Sequence, residues 1–503
     1  MTKLFEGSSW TFPLLQKLVD ACEDIAVNEL KLDYYPNQIE IVSSEQMLDA
    51  YASIGLPVMY NHWSFGKKFI ENFNSYQKGH SGLAYELIIN SNPSIAYCME
   101  DNTAVTQLLV IAHACFGHNS FFKSNYLFKE WTDADGIMDY LLFAKNYISE
   151  CEEKYGQEEV ELLLDSAHSL QTVGVDRYRK PQKLSIIKEK LKQKERDDYI
   201  QKTLNDLWRT LPENTSDQKA SDKAFQERRA ALKLPEENIL YFLEKKSPIL
   251  KGWQREILRI VRKLSQYFYP QRQSQIINEG WACFVHYYIV NRLYDKKLID
   301  EGQYLEFIHS HTSVTNQYVY DHRGYYGLNP YAIGFAIFQD IKRMSENPTE
   351  EDREWFPDVA GGDWLTNVTY AMKNFRDESF ISQYLSPKVI RDFRLFSIED
   401  LSSTIDHYTV KSIHNEDGYK EIRKIFSNSK NISNIDPDIQ IYDADLIGDR
   451  ELVIKYYMHD NIPLDPSATK VLKHILKLWG YQVRLIIVDF DTGLEKDQIK
   501  ITP

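Results

Sequence analysis

The chain is short of the features that would place it outside a reducing cell interior. Only five cysteines occur in 503 residues, Cys22, Cys98, Cys115, Cys151 and Cys283, an odd number with no CxxC pair and no close spacing. That argues against a disulfide framework and suits a cytosol. Residues 1–15 carry Glu6, Ser8, Ser9 and Pro13 where a secretory leader would carry a continuous apolar stretch, and no run of about 18 apolar residues offers a membrane span. Positive charge is in deficit. Lys plus Arg is 59 against 73 Asp plus Glu, a formal charge of -14, which argues against broad nucleic-acid or anionic-membrane binding. Neither GxxxxGK[ST] nor GxGxxG is present, which disfavours a nucleotide-dependent enzyme. HExxH is missing too, so no helix places a general base beside a first metal-binding histidine in the way of many zinc peptidases.

What the chain does have is apolar bulk, at 43% hydrophobic and 13% aromatic residues, enough for two or three domains and a large core. Within it, the stretch Ile111-Ala112-His113-Ala114-Cys115-Phe116-Gly117-His118 stands out. It follows a helix-start signal at Asp101, Asn102 and Thr103 and lies at the end of an apolar run, so both histidines sit on or just past a buried helix. Imidazole is the commonest metal-binding side chain near neutral pH. The spacing is five, however, and on a regular helix that separates the two rings by roughly 140°. They can converge if the helix widens by one residue into a π-bulge at Gly117, or if it stops there.

A second stretch reads as its partner. In Asn278-Glu279-Gly280-Trp281-Ala282-Cys283-Phe284-Val285-His286, the residues Glu279, Cys283 and His286 fall at i, i+4 and i+7 and share one helix face. The expected site is therefore a divalent metal, zinc before others, held by His113, His118, Glu279 and His286, with Glu279 either ligand or general base. His309 and His311, at alternate positions, are the reserve ligands. The bland alternative is that the histidines bond backbone carbonyls and Glu279 pairs with a cation. His168 is read as one polar residue on a helix face.

Along the chain the periodicities predict a mainly helical body over residues 1–393, with strands only at 39–42 and 84–90. Ser43 and Gln46 form a capping box, Asn329-Pro330 a helix start, and the segment 60–68 an aromatic, basic loop. Residues 177–234 read as a charged and flexible excursion that offers an interaction surface. After residue 393 the order becomes β-α-β-β-α-β, so residues 394–503 are expected to form a ferredoxin-like domain, and the fold class is α+β.

Taken together, Tyr35-Pro36-Asn37-Gln38-Ile39-Glu40, His62-Trp63-Ser64-Phe65-Gly66-Lys67-Lys68, residues 85–93, the histidine stretch through Lys123, Asn278-Glu279-Gly280-Trp281-Ala282, Asn329-Pro330-Tyr331 and residues 335–342 resemble the stage V sporulation protein R (SpoVR-like) family. The resemblance covers nearly the whole length. It implies a cytoplasmic bacterial protein linked to spore-cortex formation in spore formers. In bacteria that make no spores it implies a stationary-phase or stress role beside a PrkA-type serine kinase and its companion protein. Glu279-Gly280-Trp281-Ala282 is also similar to the third-ligand helix of some zinc peptidases. Two functions follow as expectations. One is a metal-dependent hydrolase, peptidase- or amidase-like, holding a peptide or peptidoglycan-stem substrate along the strand at 84–90. The other is a non-catalytic adaptor working with the kinase system.

Overall fold

The computed structural model describes residues 3–53, 58–65, 67–68, 70–71, 86–177, 225–226, 228–320, 322–399, 409–446, 448–459 and 462–503. The expected excursion at 177–234 falls largely on residues outside that set. Mainly helical, with short sheets, the fold is α+β as expected. It divides into two compact units, each assembled from separated parts of the chain: residues 1–57, 63–135 and 270–431 in the first, 58–62, 136–269 and 432–503 in the second.

The first unit carries the large apolar core and every residue of the candidate site. Its sheet has three strands, β1 (Asn37–Val42), β2 (Glu86–Ile89) and β3 (Ser94–Met99), in the order β1-β3-β2. β3 is central, parallel to β1 and antiparallel to β2. The chain therefore does not run straight from the strand at 84–90 into the histidine helix, as its pattern suggested. Helix Ser44–Ala52 opens with the expected Ser43/Gln46 capping box.

Three helices position the site. The first runs unbroken through Ala104–Val110, a π-helical segment Ile111–His118, and Asn119–Ser124, with Thr103 capping its start. The second is Gln275–Asp295, and the third Pro330–Glu346, which begins at Asn329-Pro330 as predicted. They cross where side chains are smallest. A Cβ on Gly117 would stand 2.7 Å from the Ala282 Cα, and one on Gly280 would stand 2.3 Å from the Gly334 carbonyl carbon. Only hydrogen at those α-carbons lets the backbones meet, and the approach of Gly117 to Ala282 draws the helix that carries Glu279 against the histidine helix.

The start of Gln275–Asp295 is capped from a distance. The carboxylate of Asp377 accepts from Ile276 N at 3.1 Å and Ile277 N at 2.9 Å. Burial lifts that carboxyl to about 7 against the pull of the two amides.

In the second unit a four-stranded sheet has the order β6 (Asp438–Ala444), β7 (Leu452–Met458), β8 (Val483–Asp489), β9 (Glu495–Ile501). The ferredoxin-like arrangement expected for residues 394–503 is not the one found. The strand predicted near residue 410, β5 (Thr409–Ser412), belongs to the first unit and pairs with β4 (Ser397–Glu399), and the fourth sheet position is taken by β9. β9 lies on the sheet edge with Glu495, Lys496, Asp497 and Gln498 exposed, so no apolar alternation marks it in the sequence. Two smaller expectations also change. Residues 63–65 are helical, not loop, and the helix expected to end at Pro270 continues as Gly252–Arg272. No helix among the described residues is long and apolar enough to cross a membrane.

Candidate metal centre

The spacing of five between the two histidines matches the i to i+5 hydrogen bonds of a π-helix, whose wider turn brings such a pair closer to one face than an α-helix does. The segment Ile111–His118 is π-helical, and the two imidazoles stand one above the other with ring centres 4.6 Å apart and planes at 89°. The convergence that an α-helix forbids is thus built into the backbone.

Both rings turn an Nε2 atom towards carboxylates. His113 Nε2 lies 3.3 Å from Glu86 Oε1 and 3.7 Å from Glu279 Oε2, and His118 Nε2 lies 3.4 Å from Glu279 Oε2. Glu279 Oε2 is buried with these longer ion-pair contacts in place of a hydrogen bond, and Glu86 Oε2 is likewise buried without a hydrogen bond. Glu86 was not singled out from the sequence. Its signal was there, a lone acid inside an apolar strand, which burial penalises unless a partner waits for it.

Behind the carboxylate side, both histidines are held at Nδ1. His118 Nδ1 lies 2.9 Å from Asn278 Oδ1, the neighbour of Glu279. His113 Nδ1 lies 2.8 Å from His286 Nδ1, and His286 Nε2 lies 2.8 Å from His311 Nδ1. All four sequence-predicted residues therefore meet in one cluster, but not around one point. Glu279 and His286 are two helical turns apart, roughly 10.5 Å of rise, and His113 sits between them with one nitrogen facing each way. Both ring nitrogens of His286 contact other histidines. Of the reserve pair, His311 is buried in this chain of rings and His309 is exposed. Cys283 contributes to a second grouping, its Sγ lying within 4.8 Å of ring nitrogens of His113 and His286.

The electrostatics separate the two acids. Burial would raise the Glu279 carboxyl, but His118 and His113 beside it hold it down at about 2. Glu86, with burial the largest influence, is raised above the usual carboxylate range despite His113 and His118. Burial would strip the proton from His118, yet Glu279, and then Glu86, hold it up to about 9. His286 is pushed far below the usual imidazole range by burial and by His113 and His311 around it. The Tyr331 ring lies 6.4 Å from that of His113, nearly parallel to it, and burial keeps its phenol protonated. Tyr51 donates its hydroxyl to the Glu86 carbonyl at 2.9 Å.

The residues fit a divalent ion. For metal bonds of roughly 2.0–2.1 Å at tetrahedral angles, neighbouring donor atoms lie about 3.3–3.4 Å apart. The separations of 3.3, 3.4 and 3.7 Å around the two carboxylates fall at or just above that value. Among the described residues, one grouping able to hold an ion is Glu86, His113 and His118.

Comparison with known proteins gives two matching families. The one described as SpoVR like protein matches residues 9–435, and the one described as SpoVR-like C-terminal domain matches residues 437–490. The chain is 55% identical over 494 residues to a protein of Escherichia coli (strain K12) named uncharacterized protein YcgB, covering 98% of this chain and 96% of that one. No solved structure matches.

Proposed function

The chain belongs to the SpoVR-like family, and from that premise and the geometry of the buried site we propose that it is a metal-dependent hydrolase of peptide or amide bonds. The observation that carries the reading is the set of unbonded donors, two imidazole Nε2 atoms and two carboxylates at metal-ligand separations with Glu279 Oε2 left without a hydrogen bond. His113 and His118 form a grouping with Glu86, but Glu279 Oε2, 3.7 and 3.4 Å from the two Nε2 atoms and the more readily ionised of the two acids, is the carboxylate that would complete the ligands, zinc being the best match to two nitrogens and one oxygen. Bound there, it would polarise a substrate carbonyl and lower the pKa of a water towards roughly 7.

The chain's own residues account for the rest. Glu279, anionic at any ordinary pH, suits a ligand, while Glu86, raised by burial, suits the base. Water oxygen adds to the amide carbon, its proton passes to Glu86, and the same proton then goes to the departing nitrogen as the C–N bond breaks. Tyr331, protonated throughout, is the available donor for the negative oxygen of the tetrahedral species. The outermost position of β2 in its sheet supports an extended peptide as substrate, since a chain laid along that edge would run past Glu86.

The test is metal analysis of the purified full chain, followed by hydrolysis of a mixed peptide library with zinc added. One ion per chain, lost in a His113→Ala, Glu279→Ala double variant of unchanged helicity, is the expected result. A folded wild-type chain that takes up no divalent metal overturns the proposal.

A further inference from the structure

His286 and His311 are both buried, lie on the Nδ1 side of His113 away from the carboxylates, and neither reaches a carboxylate. Resting on the metal reading above, we infer that they are positioning residues, a two-ring chain that fixes which nitrogen of His113 is bare. The argument concerns where protons sit, not whether any ring changes charge.

Each close approach in the chain accommodates one proton. His113 Nδ1 and His286 Nδ1 are 2.8 Å apart, so one of them donates and the other accepts. The same holds for His286 Nε2 and His311 Nδ1, also at 2.8 Å. With all rings neutral, only two arrangements satisfy both contacts. In the first, His113 carries its proton on Nδ1, His286 on Nε2 and His311 on Nε2, which leaves His113 Nε2 bare. In the second every proton moves to the other nitrogen, and His113 Nε2–H points at Glu86 Oε1, 3.3 Å away. An ion can be held by the first arrangement alone, because a ligand nitrogen needs its lone pair. Metal uptake therefore selects one direction of the whole chain, and His311, beyond contact with the site, decides how readily that direction is adopted. His118 needs no such chain, since Asn278 Oδ1 at 2.9 Å already calls for a proton on its Nδ1.

The surroundings of His311 allow a test in which packing and positioning predict opposite orders. Its ring is packed among Phe335 at 4.8 Å, Tyr287 at 5.0 Å and Phe307 at 5.9 Å between ring centres. A merely structural role would be served by His311→Phe, which fills the space, and harmed by His311→Asn, which leaves a hole. The positioning role requires the reverse. Asparagine keeps an acceptor near the position of Nδ1, whereas phenylalanine leaves the His286 Nε2–H without one.

The experiment is competition titration of zinc into the metal-free full chain, with wild type, His311→Asn and His311→Phe confirmed folded by thermal unfolding. His311→Asn is expected to bind within about threefold of wild type and His311→Phe roughly tenfold or more weaker, the usual scale for losing an outer partner of a ligand histidine. Nitrogen NMR of ¹⁵N-histidine protein should show both His286 and His311 protonated at Nε2 in the zinc form. Equal affinities in the three proteins, or an order with His311→Asn the weakest, overturns the inference and leaves the metal site standing. A wild type that binds no zinc removes both.

Discussion

In the metal-free chain His118 and Glu279 form a buried pair that an incoming ion must break, and the cost is readable as a pH slope. Glu279 and then Glu86 hold the His118 proton up to about 9 although burial opposes it. A metal ion requires the Nε2 lone pair, so below pH 9 its uptake expels that proton. Each pH unit between 7 and 9 should therefore raise the apparent zinc affinity about tenfold, roughly a hundredfold across the interval or about 3 kcal/mol, with a plateau above. The perturbation that isolates the pair is Glu279→Gln. It removes a ligand and weakens binding overall, but it also removes the charge that retains the proton, so the slope between pH 7 and 9 should flatten. Chelator competition at pH 7, 8 and 9 gives the slope. Calorimetry in buffers of different ionisation heat counts the released proton, expected to approach one at pH 7.5. A protein that binds zinc with the same affinity at all three pH values, releasing no proton, would refute the reasoning.

Glu86→Gln should keep zinc within a few-fold of wild type yet lower peptide hydrolysis by at least about a hundredfold, measured as turnover at saturating zinc, as expected for loss of a general base. Gly280→Val should unfold the first unit at lower temperature, at a cost of about 1–3 kcal/mol or more, because even the added Cβ would stand 2.3 Å from the Gly334 backbone; thermal melts followed by circular dichroism check it. Asp377→Ala should cost about 1–2 kcal/mol by stripping the cap from Ile276 and Ile277, while Asp377→Asn, with a single acceptor oxygen, keeps one of the two bonds and should cost less. The Asp377 carboxyl, lifted to about 7, binds its proton more tightly folded than unfolded. Its contribution is therefore complete below pH 4 and declines as pH rises through 7, and Asp377→Asn should remove that decline from a series of urea titrations. Finally, His309→Ala should leave zinc affinity unchanged and His286→Ala should lower it, since His309 is exposed and His286 touches His113 at 2.8 Å.

Much of the first unit was legible because its signals are local. The five-residue spacing of His113 and His118 poses a choice between a π-helix and a break, and Ser43 with Gln46, or Asn329 with Pro330, declares a helix start within three residues. Glu86 was legible as an odd acid in an apolar strand but not as a neighbour of the histidines, because its place depends on β3, which pairs Cys98 with Glu86 and is a short apolar run indistinguishable by period from a buried helix segment. The interleaved second unit depends on contacts between residues hundreds of positions apart, and no window of the sequence contains them. β9 failed to register for the opposite reason, being a polar edge strand that is recognised only through its pairing with β8.

Residues of the histidine stretch that face away from the carboxylates explain why a π-helix persists there. Asn119 donates to the Tyr35 carbonyl at 2.7 Å and to Asn37 Oδ1 at 2.7 Å, and accepts from Tyr35 N at 2.8 Å, clamping the turn that leads into β1. Lys123 donates to the Tyr34 carbonyl at 2.8 Å. Ser120 donates to the Gly117 carbonyl at 2.9 Å and accepts from Trp281 Nε1 at 3.0 Å. That last pair of bonds is decisive, because it joins the π-turn of one helix to the residue two places beyond Glu279 on the other. A π-helix relaxing to α would rotate Gly117 and Ser120 away from Trp281 and leave a buried indole N–H unsatisfied, a penalty of about 1–3 kcal/mol. The geometry that brings two imidazoles together is thus held by the same helix that supplies the acid between them, so the two halves of the site form together or not at all.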